Sequence, residues 1–172
     1  TGGELRITGD SRSSSYQIDS GTILNYDIAS GTAQADTTTY TGTGTLRKSG
    51  AGEIEWNRVS GSAGTFSMGA GGLIDVQAGV MAPGWGSNEN FTSNKADLHI
   101  ESGATFRNVN SGARVNKLTG AGRLESGWNT GTVNFAVGVD NGTSTFDGTL
   151  HDSGLGSSPG KLTLIKEGTG TL

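Results

Sequence analysis

Apolar residues along this chain alternate with polar or small ones over short runs, and no window of eleven or more residues keeps an i, i+3, i+4, i+7 pattern free of glycine. The runs "ELRIT" (4–8), "TILNYDI" (22–28), "EIEW" (53–56), "LIDV" (73–76), "ADLHI" (96–100), "ATFRNV" (104–109), "TVNFAV" (132–137), "STFDGTL" (144–150) and "LTLI" (162–165) read as strands. Gly, Ser, Asn or Asp punctuates nearly every gap between them. The pattern predicts an all-β domain.

A repeat runs through these strands. Gly, a small residue, Gly, any residue and then a large apolar residue occur in order at Gly42 to Leu46, Gly50 to Ile54, Gly69 to Leu73, Gly120 to Leu124 and Gly168 to Leu172. A variant, Ser-Gly-Ala before an apolar residue, appears at 102–106 and 111–115. Spacings near twenty residues or its multiples fit a coil that climbs one strand separation per turn, with glycine at corners where the backbone bends. The expectation is one parallel β-solenoid domain over residues 1–172. At roughly 20 residues and about 4.8 Å per turn, some eight turns would make a rod on the order of 40 Å. The rival architecture is an antiparallel β-sandwich or jelly roll, whose Asn-Gly hairpin signal occurs once, at Asn141-Gly142.

The segments "KSGAGEIEW", "KEGTGTL", "STFDGTLHDSG" and "VQAGVMAPG" resemble the autotransporter-associated β-strand repeats of bacterial secreted passenger domains. The resemblance covers about half of the chain, chiefly 41–84 and 117–172. It implies a single-stranded right-handed parallel β-helix displayed outside the cell, elongated and non-catalytic. The chain departs from that family in lacking a membrane-barrel segment and in its loop-rich stretch at 85–97.

Composition narrows the function. Gly supplies 31 residues, Cys none, and only 31% of the chain is apolar, which suits a narrow core rather than a broad helical one. A net charge of −4 with three Trp, three Tyr and five Phe argues against disorder. The 12 Lys and Arg are scattered, which disfavours nucleic acid. No stretch reaches the eighteen or so apolar residues of a membrane helix, so membrane insertion is not expected. Without cysteine, disulfides and thiolate metal sites are excluded.

Candidate chemistry is sparse, and neither a catalytic group nor a metal or other cofactor is expected. His99 lies between Leu98 and Ile100 and points away from both, and no carboxylate is evident beside His99 or His151. "DNGT" (140–143) has oxygen ligands but not the repeated spacing of calcium-binding solenoids, so it reads as a turn. Polysaccharide lyases and hydrolases share the solenoid fold and need clustered acids. Here the acids stand singly, except Glu53 and Glu55, which read as a solvated stripe near Arg47 and Arg58. Trp85 and, second, Trp128 could stack on sugars.

The two ends carry the sharpest signal. Leu5 and Ile7 open the sequence on one face, and Leu162, Leu164, Ile165 and Leu172 close it, with no cap signature at either end. The expected function is a structural, non-enzymatic, extracellular or cell-surface solenoid that stacks end to end, on adjoining turns or on copies of itself, through those residues. A fragment cut from a longer solenoid would look the same, and the start at Thr1 reads as processed or excised. The alternative function is an adhesin or glycan-binding passenger fragment using Trp85 and Trp128.

Overall fold

The computed structural model describes residues 2–9, 13–58, 64–84, 91–110, 112–127, 131–152 and 160–172. Every pairing between described strands is parallel, and the strands stack into a β-solenoid with three faces. No helix of the described residues is long and apolar enough to cross a membrane. The antiparallel alternative is excluded by the pairing.

The first face stacks β1 (Glu4–Ile7), β3 (Ile23–Asp27), β6 (Thr45–Ser49), β9 (Leu73–Val76), β11 (Asp97–Ile100) and β14 (Leu118–Gly120). The second stacks β4 (Ala33–Asp36), β7 (Glu53–Trp56), β10 (Val80–Ala82), β12 (Thr105–Asn108), β15 (Arg123–Ser126) and β17 (Thr149–His151). The third holds two shorter sheets. One is β2 (Ser15–Ile18), β5 (Thr39–Gly42) and β8 (Phe66–Met68); the other is β13 (Ala113–Val115), β16 (Thr132–Val137) and β18 (Lys161–Lys166). Between them residues 91–94 make a turn, closed by Asn94 N–H on Phe91 O at 3.0 Å, while Lys95 N–H still donates to Met68 O at 2.8 Å. The coil therefore continues where the strand does not.

Six strands per long face replace the eight turns expected from a twenty-residue period. Successive coils are offset by as few as 18 residues, Thr105 to Arg123, and as many as 29, Thr132 to Lys161. The third face, counting the turn at 91–94, has seven levels, which rise about 29 Å from first to last. The period was underestimated because the number of residues between successive strands varies: Asp36 to Thr39 against Trp56 to Phe66 from the second face to the third, and Val115 to Leu118 against Val137 to Phe146 from the third to the first. β4 was also missed, since its inward positions are Gln34 and Asp36 rather than apolar residues. "STFDGTL" is one apolar run but two elements: Phe146 bridges Gly120 on the first face, and β17 follows on the second.

Registered ladders fill the core. On the first face Leu5, Leu24, Leu46, Ile74, Leu98 and Leu118 lie one above another. On the third, Tyr16, Tyr40, Phe66 and Phe91 stack ring on ring, with centroids 6.3, 5.5 and 4.2 Å apart. Each buried ladder rung of this size contributes about 1.5–3 kcal/mol of transfer free energy, and like side chains in register leave few voids. Gly120 shows why corners are glycine: its φ is 98°, and a Cβ there would sit 2.1 Å from Ile100 O.

Candidate functional site

Both extremities expose what the ladders bury elsewhere. Leu5, Leu150, Leu164, Ile165 and Leu172 are the exposed large hydrophobics among the described residues, each 37–54% accessible, and all lie on the first or last coil. Ile7 and Leu162, on the same strands, are half-buried. The outer edges of β1, β17 and β18 pair with no described strand, so their backbone groups face outward along the solenoid axis. Each extremity also has a shallow hollow of similar size. One, of about 260 Å³, is lined by Leu5, Tyr16, Ile18 and Leu24; the other, of about 250 Å³, by Leu150, His151, Asp152, Leu162 and Leu164.

Register separates the terminal residues into two kinds. Leu162 and Leu164 pair with Val133 and Phe135 and point inward, whereas Ile165 pairs with Ala136 and points out of the third face. Leu172 lies beyond β18, yet it belongs to the leucine ladder: Ser144 N–H donates to Thr171 O at 2.9 Å, the bond that elsewhere sets Leu98 against Leu118. Leu5 and Leu172 are thus the two ends of one ladder.

The Lys-x-Gly-x-Gly segments are corners. Lys48 occupies an inward ladder position between Tyr26 and Val76, and its Nζ donates to Ser49 O (2.7 Å), Gly50 O (2.8 Å) and, one coil on, Ala78 O (3.1 Å). Burial pushes its pKa down to about 8, against the pull of Asp27 and Glu53. Lys166 repeats the first two contacts, on Glu167 O and Gly168 O.

Charged side chains on the outer faces form pairs both between coils and within one coil. Arg107 Nη1 reaches Glu53 at 2.8 Å across β10, where Ala82 leaves room, and its Nε reaches Glu125 at 2.6 Å. Arg123 pairs with Glu125 at 2.6 Å, and Arg58 binds Glu55. Burial raises the Glu53 pKa and Arg107 pulls it back down. Arg47, grouped with this stripe from sequence, instead lies on the first face, with Asp75 at 2.9 Å. His99 does have a carboxylate near it, Glu101 at 3.5 Å, and bonds Thr119 Oγ1 at 3.1 Å; His151 Nδ1 is 2.9 Å from Arg123 Nη2. Glu125 lies between two guanidiniums, those of Arg107 and Arg123, an arrangement that favours ion pairing over proton exchange.

A groove of about 400 Å³ crosses the outside of the third face, lined by Thr92, Arg114, Asn134, Ala136, Ile165 and Glu167 among others, with Arg114 and Glu167 paired over it at 2.7 Å. Trp85 and Trp128, the sequence's sugar-stacking candidates, lie outside the described residues. Among the described residues no cluster of His, Asp or Glu is arranged to hold a metal ion. Comparison of the chain with family models, curated proteins and solved structures returns no match.

Proposed function

We propose that this protein is a structural rod segment, non-enzymatic and displayed outside a bacterial cell, which works by seating further solenoid coils on its ends. What carries the reading is that, among the described residues, the exposed large hydrophobics lie on the first and last coils, where the outer edges of β1, β17 and β18 pair with no described strand. Such an edge is a template for another strand, and burying Leu5, Leu150, Leu164 and Leu172 supplies the drive. The resemblance to autotransporter-associated repeats supports the extracellular setting, and its Lys-x-Gly-x-Gly segments are corner elements that pass from one coil to the next. The placement of Glu125 between Arg107 and Arg123 supports a role without catalysis.

The seated coil belongs either to the same chain or to a second copy, and the geometry distinguishes their costs. A copy that lays β2 on β18 brings its Leu5 to the level Leu172 occupies, so residues 169–172 must swing aside first. A coil continuing the chain meets no such conflict. Sedimentation velocity and electron microscopy across a concentration series test the assembly. The expected result is concentration-dependent, unbranched oligomers that increase when residues 169–172 are removed. Leu5→Lys with Leu164→Lys abolishes them without changing the β-sheet circular dichroism. Uniform monomers for both the full and the shortened chain at the highest concentrations overturn assembly between copies.

A second reading, adhesion through a glycan, is favoured by the groove on the third face, where amide, hydroxyl and paired ionic groups sit beside aliphatic surface suited to a sugar ring. A glycan array with Arg114→Ala and Trp85→Ala as controls checks it: a sugar bound by the wild type and lost in both variants supports it.

A further inference from the structure

Asn141-Gly142 is the sole Asn-Gly dipeptide in the sequence. In such a dipeptide the glycine nitrogen, unhindered by a Cβ, attacks the asparagine carboxamide. The Gly142 N to Asn141 Cγ bond forms, the Cγ to Nδ2 bond breaks and ammonia leaves. Water then opens the succinimide ring to aspartate or, inserting a methylene into the main chain, to isoaspartate. Two groups must be free for this: the Gly142 N–H and the Asn141 carboxamide.

Here both are held, one from each neighbouring coil. Gly142 is buried, and its N–H donates to Asn116 Oδ1 of the coil below at 2.8 Å. Asn141 Oδ1 accepts from Thr169 N–H at 3.0 Å and from Thr169 Oγ1 at 3.2 Å, in the coil above. Asn141 itself has a φ of 63°, a left-handed conformation fixed by its N–H on Gly138 O at 3.0 Å and by Asp140 N–H on Asn116 Oδ1 at 3.2 Å. Gly170 packs so closely on Gly142 that a Cβ on it would meet Gly142 O at 2.1 Å.

From this juxtaposition we infer that Asn141 is a gated self-modification site, which deamidates when this end of the solenoid opens far enough to release both Asn141 Oδ1 from Thr169 and the Gly142 N–H from Asn116. Closed, the Gly142 N–H is occupied by Asn116 and the Asn141 side chain is anchored on Thr169, so neither is free to turn toward the other. Open, the dipeptide behaves as a free peptide, and an isoaspartate at 141 lengthens the corner so that Thr169 no longer finds its acceptor. The last coil then stays undocked, and the site records each long-lived opening of that end.

The test follows Asn141 by peptide-mapping mass spectrometry and isoaspartyl methyltransferase labelling during incubation in mildly alkaline buffer, beside a synthetic peptide of residues 137–146. The folded protein should deamidate there roughly tenfold or more slowly than the peptide, because reaction waits on local opening. Asn116→Ala, which removes the acceptor for Gly142 N–H, should restore much of the peptide rate while the circular dichroism is kept. If that variant does not fold, hydrogen exchange on the unaltered protein decides: the Gly142 and Thr169 amides should open at a frequency that accounts for the deamidation rate. Deamidation of the folded protein at the peptide rate, or an Asn141 rate unrelated to opening of those amides, overturns the proposal.

Discussion

Lys48 and Trp56 show how single residues hold the coils in place. An ammonium at a core ladder position is tolerated because three carbonyls at one corner surround it. Its folded pKa is lowered to about 8, while the unfolded value stays near 10.4. Between these values the unfolded chain binds more protons than the folded one, so the contribution of Lys48 to stability rises with pH and is level outside that window. Urea midpoints measured from about pH 8 to about pH 10.5 should therefore climb more steeply in the wild type than in Lys48→Met. Trp56 is fully buried against Tyr40 and Phe66 with its Nε1 on Thr38 O at 3.0 Å, so Trp56→Ala should cost about 3–5 kcal/mol by the same measurement.

Strands here are three to six residues long, and none buries enough to stand alone; corners and registers make them elements. Two glycines separate backbone conformation from space. Gly103 has a φ of 83° with open space where its Cβ would be, whereas Gly120 combines a φ of 98° with a carbonyl 2.1 Å from that point. Gly103→Ala should cost about 1 kcal/mol, and Gly120→Ala at least about 2 kcal/mol more, because the neighbouring coil must shift as well. Differential scanning calorimetry checks the order. Similar thermal shifts for both variants would mean that conformation alone, not close approach of coils, selects glycine at these corners.

For the whole molecule, strand pairing joins each coil only to the coils above and below it, and side-chain pairs such as Arg107–Glu53 reach one coil further, so stability is distributed much as in a one-dimensional array. Among the described residues the first and last coils have a single neighbour. Amides of β18 and β1 should exchange fastest, and those of β6, β9, β7 and β10 slowest, by native-state hydrogen exchange. Anything seated on an end should slow that end selectively, which separates end-stacking from binding in the groove of the third face. A uniform exchange rate along the rod would show that it unfolds as a unit.

Much of this was legible in residues. Strands β7, β9 and β16 have the bounds read from sequence, because each places large core residues at every second position (Ile54 and Trp56; Ile74 and Val76; Val133, Phe135 and Val137) and ends at a Gly or polar corner. The parallel coil was legible in the recurrence of Gly-x-Gly ahead of an apolar residue, and the apolar ends in Leu5, Leu164 and Leu172. Coil length was not, since the number of residues between successive strands varies at more than one corner and leaves no periodic trace. Inward polar residues hid β4, where Gln34 and Asp36 take ladder positions. On the third face β16 and β18 were legible, whereas β2, β5, β8 and β13 required tertiary structure, because such short strands acquire an inside only when neighbouring coils supply one. Long-range pairing also set Ile165 outward, brought Arg107 to Glu53 across 54 residues and closed Asn116 and Thr169 around Asn141-Gly142. Alternation is a local property of a strand, whereas the vertical neighbour of a residue depends on how long each intervening excursion is.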